Sequence, residues 1–419
     1  MTVPKLRFPE FQNAGEWEEK KLGEVFTRIT TKNAENNLNS LTISAQDGLV
    51  NQLDYFNKKI SAKDLTGYYL INAGDFAYNK SYSNGYPMGA IKRLKLYEKG
   101  VVSTLYICFR ANSGYSQSFF EQYFDFGMIN NAISGIAQEG ARNHGLLNIS
   151  IKDFFDNVNV SFPSTSEQQK IADCLRSIDS LIAAETQKLD TLKAHKKGLM
   201  QQLFPAEGET FPKLRFPEFR DAGDWEERRL DQLVGIQSGG TPSKANSAFW
   251  NGSVPWVSAK DMKQLFLTDT EDHISKAAID DGAKLVPSGT ILMLIRGMTL
   301  LKDVPICVLR REMSFNQDVK ALRPKFDVNA FFLAWMLTGN KQRLREMVGI
   351  AGHGTGKLDT DELKAFLLTI PQPEEQQCIA DCLSSLDDRI SAQTQKIATL
   401  KTHKKGLMQQ LFPAIDEVI

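Results

Sequence analysis

Two runs of forty residues, 167–206 and 375–414, are identical at 30 positions and lie 208 residues apart. Both have the periodicity of a helix that must bury one face. In the first, Ile171, Leu175, Ile178, Ile182, Leu189, Leu192, Leu199 and Leu203 recur on alternating four- and three-residue steps. In the second, Ile379, Leu383, Leu386, Ile390, Ile397, Leu400, Leu407 and Leu411 do the same. This is a heptad seam, interrupted at the same two places in each copy, by Glu185 and Lys196 and by Gln393 and Lys404. Acids lead (Glu167, Asp173, Asp179) and bases trail (Lys193, Lys196, Lys197), the order that suits the helix dipole. Pro163 and Pro371 precede the helices, and Pro205 and Pro413 end them. Burying each large apolar side chain is worth roughly 1.5–3 kcal/mol, so the stripes need a partner. Two seams matched in phase and length predict that the helices pack on one another along these positions. At 1.5 Å per residue, 167–203 would run about 55 Å.

The same offset governs the rest of the chain. PKLRFPEF begins at Pro4 and again at Pro212, and 14 of 19 positions match between 4–22 and 212–230. The blocks between, 23–166 and 231–374, diverge. Two copies suit a pseudo-two-fold pair, not a solenoid array. Weak kinship persists inside the blocks. Ser44-Ala45-Gln46-Asp47 resembles Ser258-Ala259-Lys260-Asp261, and 73–80 resembles 288–296 as a strand opened by glycine and running out to a basic residue. Phe162-Pro163 and Ile370-Pro371 close the blocks. The expected class is α+β: two mixed α/β domains joined by two long helices forming an antiparallel coiled coil with pseudo-two-fold symmetry. The expected boundaries are 1–165, 166–206, 207–373 and 374–419. One scaffold with altered loops is the pattern of varied recognition, because binding residues concentrate on loops.

Composition narrows the options. With 50 Lys plus Arg against 50 Asp plus Glu, bulk charge offers no argument for nucleic acid. Any such surface must come from segregated charge or from a partner. The five cysteines are odd in number and scattered, which reads as a reduced, cytoplasmic protein. Cys378 and Cys382 sit four apart on the second helix, without the further ligands that would complete a metal site. The N-terminal residues contain no apolar signal core, and apolar runs such as 330–337 are too short to span a bilayer.

Candidate contact residues follow from chemistry and position. The loop Ser238-Gly239-Gly240-Thr241-Pro242-Ser243-Lys244 sets small residues beside an ammonium, suited to phosphate contact, while Trp250 and Trp256 read as core. Lys80-Ser81 and Arg296-Gly297 stand at strand ends and are suited to phosphates or base edges. Lys92, Arg93 and Lys260 are further cationic candidates, and Asn316-Gln317 have the amide chemistry that reads adenine. Residues 352–358 imitate a phosphate-binding loop, but Ala351 stands where its first glycine belongs and Leu358 replaces the metal-binding hydroxyl. That run, with Lys357, reads instead as a flexible contact loop, and its counterpart in the first block contains Arg142 and Asn143. No GxSxG, HExxH, dinucleotide fingerprint or adenine-methyltransferase motif occurs, so the chain reads as non-catalytic.

Taken together, the duplicated EQQxIADCL…TQK…LKxHKKGLMQQLFP helices, the duplicated PKLRFPEF…W leads and the divergent blocks resemble the specificity subunit of type I restriction-modification enzymes over essentially the whole chain. The segment from Ser238 through Trp250, Pro255, Trp256 and Lys260 is similar to the start of a target recognition domain. The resemblance implies that each block reads one half of a bipartite double-stranded DNA target. It implies that the helices set the spacer and dock two methyltransferase subunits for N6-adenine methylation. Cofactors would reside in partners: S-adenosylmethionine in the methyltransferase, and ATP and Mg²⁺ in restriction/translocase subunits. No cofactor, metal or membrane is expected for this chain itself. A coiled-coil adaptor binding proteins through its two blocks, and a self-contained nuclease or methyltransferase, are the alternatives.

Overall fold

The computed structural model describes residues 3–44, 47–56, 64–83, 85–137, 147–352 and 354–414. In the first half the principal elements are β1 (Glu18–Lys21), β2 (Phe26–Arg28), β3 (Phe76–Asn79), β4 (Ala90–Arg93), β5 (Ile107–Ala111), α1 (Gln117–Phe126), β6 (Asn159–Phe162) and α2 (Thr165–Leu203). In the second they are β7 (Glu226–Arg229), β8 (Val234–Ser238), β9 (Phe266–Leu267), β10 (Ile291–Leu294), β11 (Arg296–Gly297), β12 (Ile306–Leu309), β13 (Val319–Pro324), α3 (Ala330–Gly339), β14 (Val348–Ile350), β15 (Gly356–Leu358), β16 (Leu367–Ile370) and α4 (Pro373–Leu411). The class is mixed α/β with long helices. The chain divides into two compact units, residues 1–186 with 396–419, and residues 187–395. Both divisions fall inside α2 and α4, so each unit holds the start of one long helix and the end of the other.

The units share a frame that the sequences barely share. Sheet order is β2-β5-β3-β4 in the first and β8-β13-β10-β12 in the second, where β9 adds a parallel edge strand. Registers correspond too: Ala77 faces Lys92 and Cys108, as Leu292 faces Cys307 and Ala321. Gly74 and Gly289 both turn into the central strand at φ 93° and 81°, a conformation open to glycine at little cost. Strands β1 and β6 pair antiparallel, as do β7 and β16, which ties each lead to the end of its own block.

The EQQ motif, legible in sequence only as a helix start, is a junction. Arg7 grips Glu167 through two nitrogens at 2.8 and 2.6 Å, and Arg215 grips Glu375 at 2.7 and 2.6 Å. Gln168 Nε2 donates to the Pro163 carbonyl while its oxygen accepts the N–H of Ser116, the N-cap of α1. Gln376 repeats this with Pro371 and with Asn329, the N-cap of α3. Each motif therefore fixes a lead, a block helix and a long helix at one point.

The seam residues supply the core beneath. In the first unit Ile171, Ala172 and Leu175 join Met408, Leu411 and Phe412 in one cluster with Trp17, Phe119 and Tyr123. In the second, Leu203 and Phe204 join Ile379, Ala380 and Leu383 with Trp225 and Phe332. Ile178, Ile182, Leu192, Leu199, Ile390, Leu400 and Leu407 are half-buried; Leu189, Leu386 and Ile397 are buried. The polar interruptions are used as well. Within the first unit Lys404 pairs with Asp179 at 2.7 Å and Lys396 with Glu185 at 2.5 Å, and within the second Lys196 pairs with Asp387. Main-chain bonds repeat the pattern, Leu6 N–H to the Gln410 carbonyl and Leu214 N–H to the Gln202 carbonyl.

Candidate nucleic-acid interface

In the second unit one end of the sheet gathers the segments singled out from sequence. Strand β8 ends at Ser238, whose hydroxyl accepts from Lys320 Nζ at 2.5 Å. The following loop turns across the strand ends. Gly240 N–H bonds the Phe315 carbonyl at 3.0 Å, and the Thr241 hydroxyl bonds Gln317. A Cβ on Gly239 would lie 2.2 Å from the Asn316 carbonyl oxygen, so the close passage requires glycine. Asn316 itself is buried, whereas Gln317 is exposed. Trp256, expected in the core, is buried, and its indole N–H reaches the Gly240 carbonyl at 3.1 Å. Trp250 is half-buried and donates to the Ser243 carbonyl at 3.1 Å. These two rings pin the loop from below and leave Thr241, Ser243 and Lys244 exposed.

Beside the loop, β10 passes directly into β11. Arg296 on β11 is exposed and pairs in register with Lys357 on β15, which in turn pairs with β14. Two backbone bonds, Ile295 N–H to Asp318 and Leu358 N–H to Ile295, lock this small sheet to the main one at 2.8 and 2.9 Å. Residues 356–358, expected in a flexible loop, are therefore a strand. Gly297 adopts φ 140° and leads to Met298, which is exposed, as is Ile350 on β14. Sequence reasoning missed Met298 and Ile350, because a lone apolar residue in a variable loop carries no periodic signal. Among the described residues, Ser238, Gly239, Thr241, Lys244, Arg296, Gln317 and Lys357 thus share one region of the unit. Lys260 does not present a free charge: Glu271 and Asp272 hold its ammonium at 2.9 and 3.0 Å and raise its pKa through those hydrogen bonds.

The equivalent sheet end of the first unit holds Lys80 and Ser81. Leu147 N–H bonds the Lys80 carbonyl as Leu358 N–H bonds that of Ile295, so Arg296 corresponds to Ser81, one residue further along than a match of the two basic residues implies. Tyr82, next in the chain, is exposed. Arg142 and Asn143 lie outside the described residues. Lys92 and Arg93, expected at the surface, point elsewhere. Strand β4 lies against α1, where Lys92 is buried on Asp125 at 2.6 Å and Arg93 meets Glu121 at 2.8 Å.

Cysteine chemistry is muted. Burial pushes the Cys108 and Cys307 thiols up to about 12, and it raises Cys378 and Cys382 as well. Among the described residues no cluster of three or more His, Cys, Asp or Glu side chains is arranged to hold a metal ion. No helix among them is long and apolar enough to cross a membrane.

A duplicated junction, a duplicated frame and two unlike sheet ends meet one known pattern. The family model for the type I restriction modification DNA specificity domain matches residues 14–194 and again 222–402. The chain belongs to this family. It is 28% identical over 226 residues to the specificity subunit of the type I restriction enzyme EcoR124I/EcoR124II of Escherichia coli, covering 54% of this chain and 52% of that one. It is 27% identical over 172 residues to the MjaIX specificity subunit of Methanocaldococcus jannaschii, covering 40% and 39%. The matched stretch thus spans about half the length of the first relative and less of the second. The fold is shared with the crystal structure of a type I restriction-modification system S subunit from M. genitalium, at TM-score 0.58 and 14% identity over 98% of this chain and 99% of that one. Both copies of the specificity domain begin within a lead and end within a long helix, so the family repeat coincides with the 208-residue repeat of the sequence.

Proposed function

We propose that this chain is the non-catalytic DNA-specificity subunit of a cytoplasmic type I restriction-modification complex. Each unit reads one half of a bipartite duplex target. Helices α2 and α4 form an antiparallel coiled coil with pseudo-two-fold symmetry that sets the spacer and docks two methyltransferase subunits for N6-adenine methylation. Those subunits bring S-adenosylmethionine, and restriction/translocase subunits bring ATP and Mg²⁺. The single observation that supports this reading best is the pairing of two family repeats on one frame with unlike chemistry at the equivalent sheet ends. A common frame keeps the mode of docking, and altered loops change which bases are read. The antiparallel pair draws support from within each unit, where the start of one long helix meets the end of the other through Asp179–Lys404 and Asp387–Lys196.

In the second unit the exposed guanidinium of Arg296 is suited to guanine O6 and N7, the Gln317 amide to adenine, and the exposed ammonium of Lys244 to phosphate. Mapping methylated adenines in host DNA with and without the gene tests the reading. One bipartite motif should vanish with the gene, and replacement of a single block should change one half of it. An unaltered methylation map refutes the proposal, and binding to protein in place of steeply salt-dependent binding to DNA would turn it toward an adaptor.

A further inference from the structure

One ion pair of the first unit, its lysine buried and its aspartate half-buried, has no counterpart among the described residues of the second, although the frame around it does. The Lys92 ammonium lies 2.6 Å from Asp125 on α1, 2.8 Å from the Tyr86 hydroxyl and 4.5 Å from the centre of the Tyr86 ring. In the second unit Cys307 takes the place of Lys92, opposite Leu292 where Lys92 is opposite Ala77. Thr338 takes that of Asp125, each being nine residues past the N-cap of its helix, Asn329 or Ser116. There the Thr338 hydroxyl bonds its own helix at the Ala334 carbonyl, 2.7 Å away. The same architecture therefore closes at this point without charge. A buried ion pair seldom outperforms apolar packing, so stability of the fold is not a reason to keep it. What the pair adds is its grip on Tyr86.

Tyr86 belongs to the connection between β3 and β4, which follows Lys80 and Ser81 and contains the exposed Tyr82. In the second unit the connection in that place is the one with Arg296. The loop closes on itself where Tyr86 N–H meets the Ser83 carbonyl at 2.8 Å, and the Tyr78 hydroxyl holds the Met88 carbonyl at 2.7 Å. We infer that Lys92 is a positioning residue for the first unit's half of the DNA target: through Tyr86 it holds residues 85–89, and with them the strand-end residues 80–83, in their reading conformation and touches no DNA itself. This rests on the function proposed above.

Two variants test it in the complete complex. Lys92→Met with Asp125→Asn removes both charges, leaving neither buried alone, and Tyr86→Phe keeps the ring while removing the hydroxyl that Lys92 holds. Methylated adenines are mapped for each. Both variants should keep one half of the motif at full sharpness and lose about tenfold in base discrimination at one or more positions of the other, the same half in both cases. An unchanged motif overturns the inference, as does loss in both halves or in different halves. So does less methylation at every site with the motif intact, which is what a purely structural role predicts. If the double variant does not accumulate, Tyr86→Phe decides by the same criteria. Absence of any bipartite motif for the unsubstituted chain refutes the function itself, before a variant is made.

Discussion

Glu375→Ala should destabilise the second unit selectively, because it strands a buried charge. The Arg215 guanidinium bonds both carboxylate oxygens of Glu375, at 2.7 and 2.6 Å, and the Ala222 carbonyl at 2.6 Å. The two side chains are only 5% and 2% exposed. Removing the carboxylate leaves the guanidinium unpaired in a site largely shielded from water, a loss of about 3–5 kcal/mol. With a urea slope of about 2–3 kcal/mol per molar, the midpoint should fall by about 1–2.5 M. Tryptophan fluorescence reads this directly: of the five tryptophans, Trp225, Trp250, Trp256 and Trp335 belong to the second unit and only Trp17 to the first. Replacing both partners together, Arg215→Met with Glu375→Leu, should cost less than Glu375→Ala alone, since no charge is then left unpaired. A loss below about 1 kcal/mol for Glu375→Ala, or a double replacement worse than the single, would refute the assignment of the pair as the junction's anchor.

Further outcomes follow from the same geometry. Arg296→Ala should cost about 1–3 kcal/mol of discrimination at one position in one half of the target, whereas Lys244→Ala should weaken binding to all sequences and lower the salt slope by about one, both measured by titration over a salt series. Gly239→Ala should displace the 239–244 loop, because its methyl would meet the Asn316 carbonyl at 2.2 Å; relaxed reading of the same half as Arg296→Ala is the expected result. Inserting one heptad into both α2 and α4 keeps the seam in phase and adds about 10 Å, so the tolerated spacer should lengthen by about three base pairs at 3.4 Å each, as read from the methylation motif.

Much of the architecture was legible because it is periodic or repeated. Heptad spacing marks Ile171 through Leu203 and Ile379 through Leu411 as helices with one buried face, since a side chain's position along a helix fixes its direction. The 208-residue offset ties the lead at Pro4 to that at Pro212 without any structure. The candidate surface was legible only in part. Ser238, Thr241, Arg296, Gln317 and Lys357 converge in space, but Lys92 and Arg93 face α1, and Lys260 is held by two acids. In a short strand a lysine reads the same whether its face meets solvent or a helix.

By itself the sequence determined what depends on spacing along one chain: two long amphipathic helices, two copies of one plan, and blocks that differ between repeated ends. Only the tertiary structure decided what depends on distance across the chain. It showed that Glu167 and Gln168 fasten three elements at once, that Trp250 and Trp256 hold a loop in place, and that Lys92 supports Tyr86 from beneath. The physical reason is that helix periodicity is a local property of the backbone, whereas the partner of a charge or an indole N–H is set by residues brought together only when the chain folds.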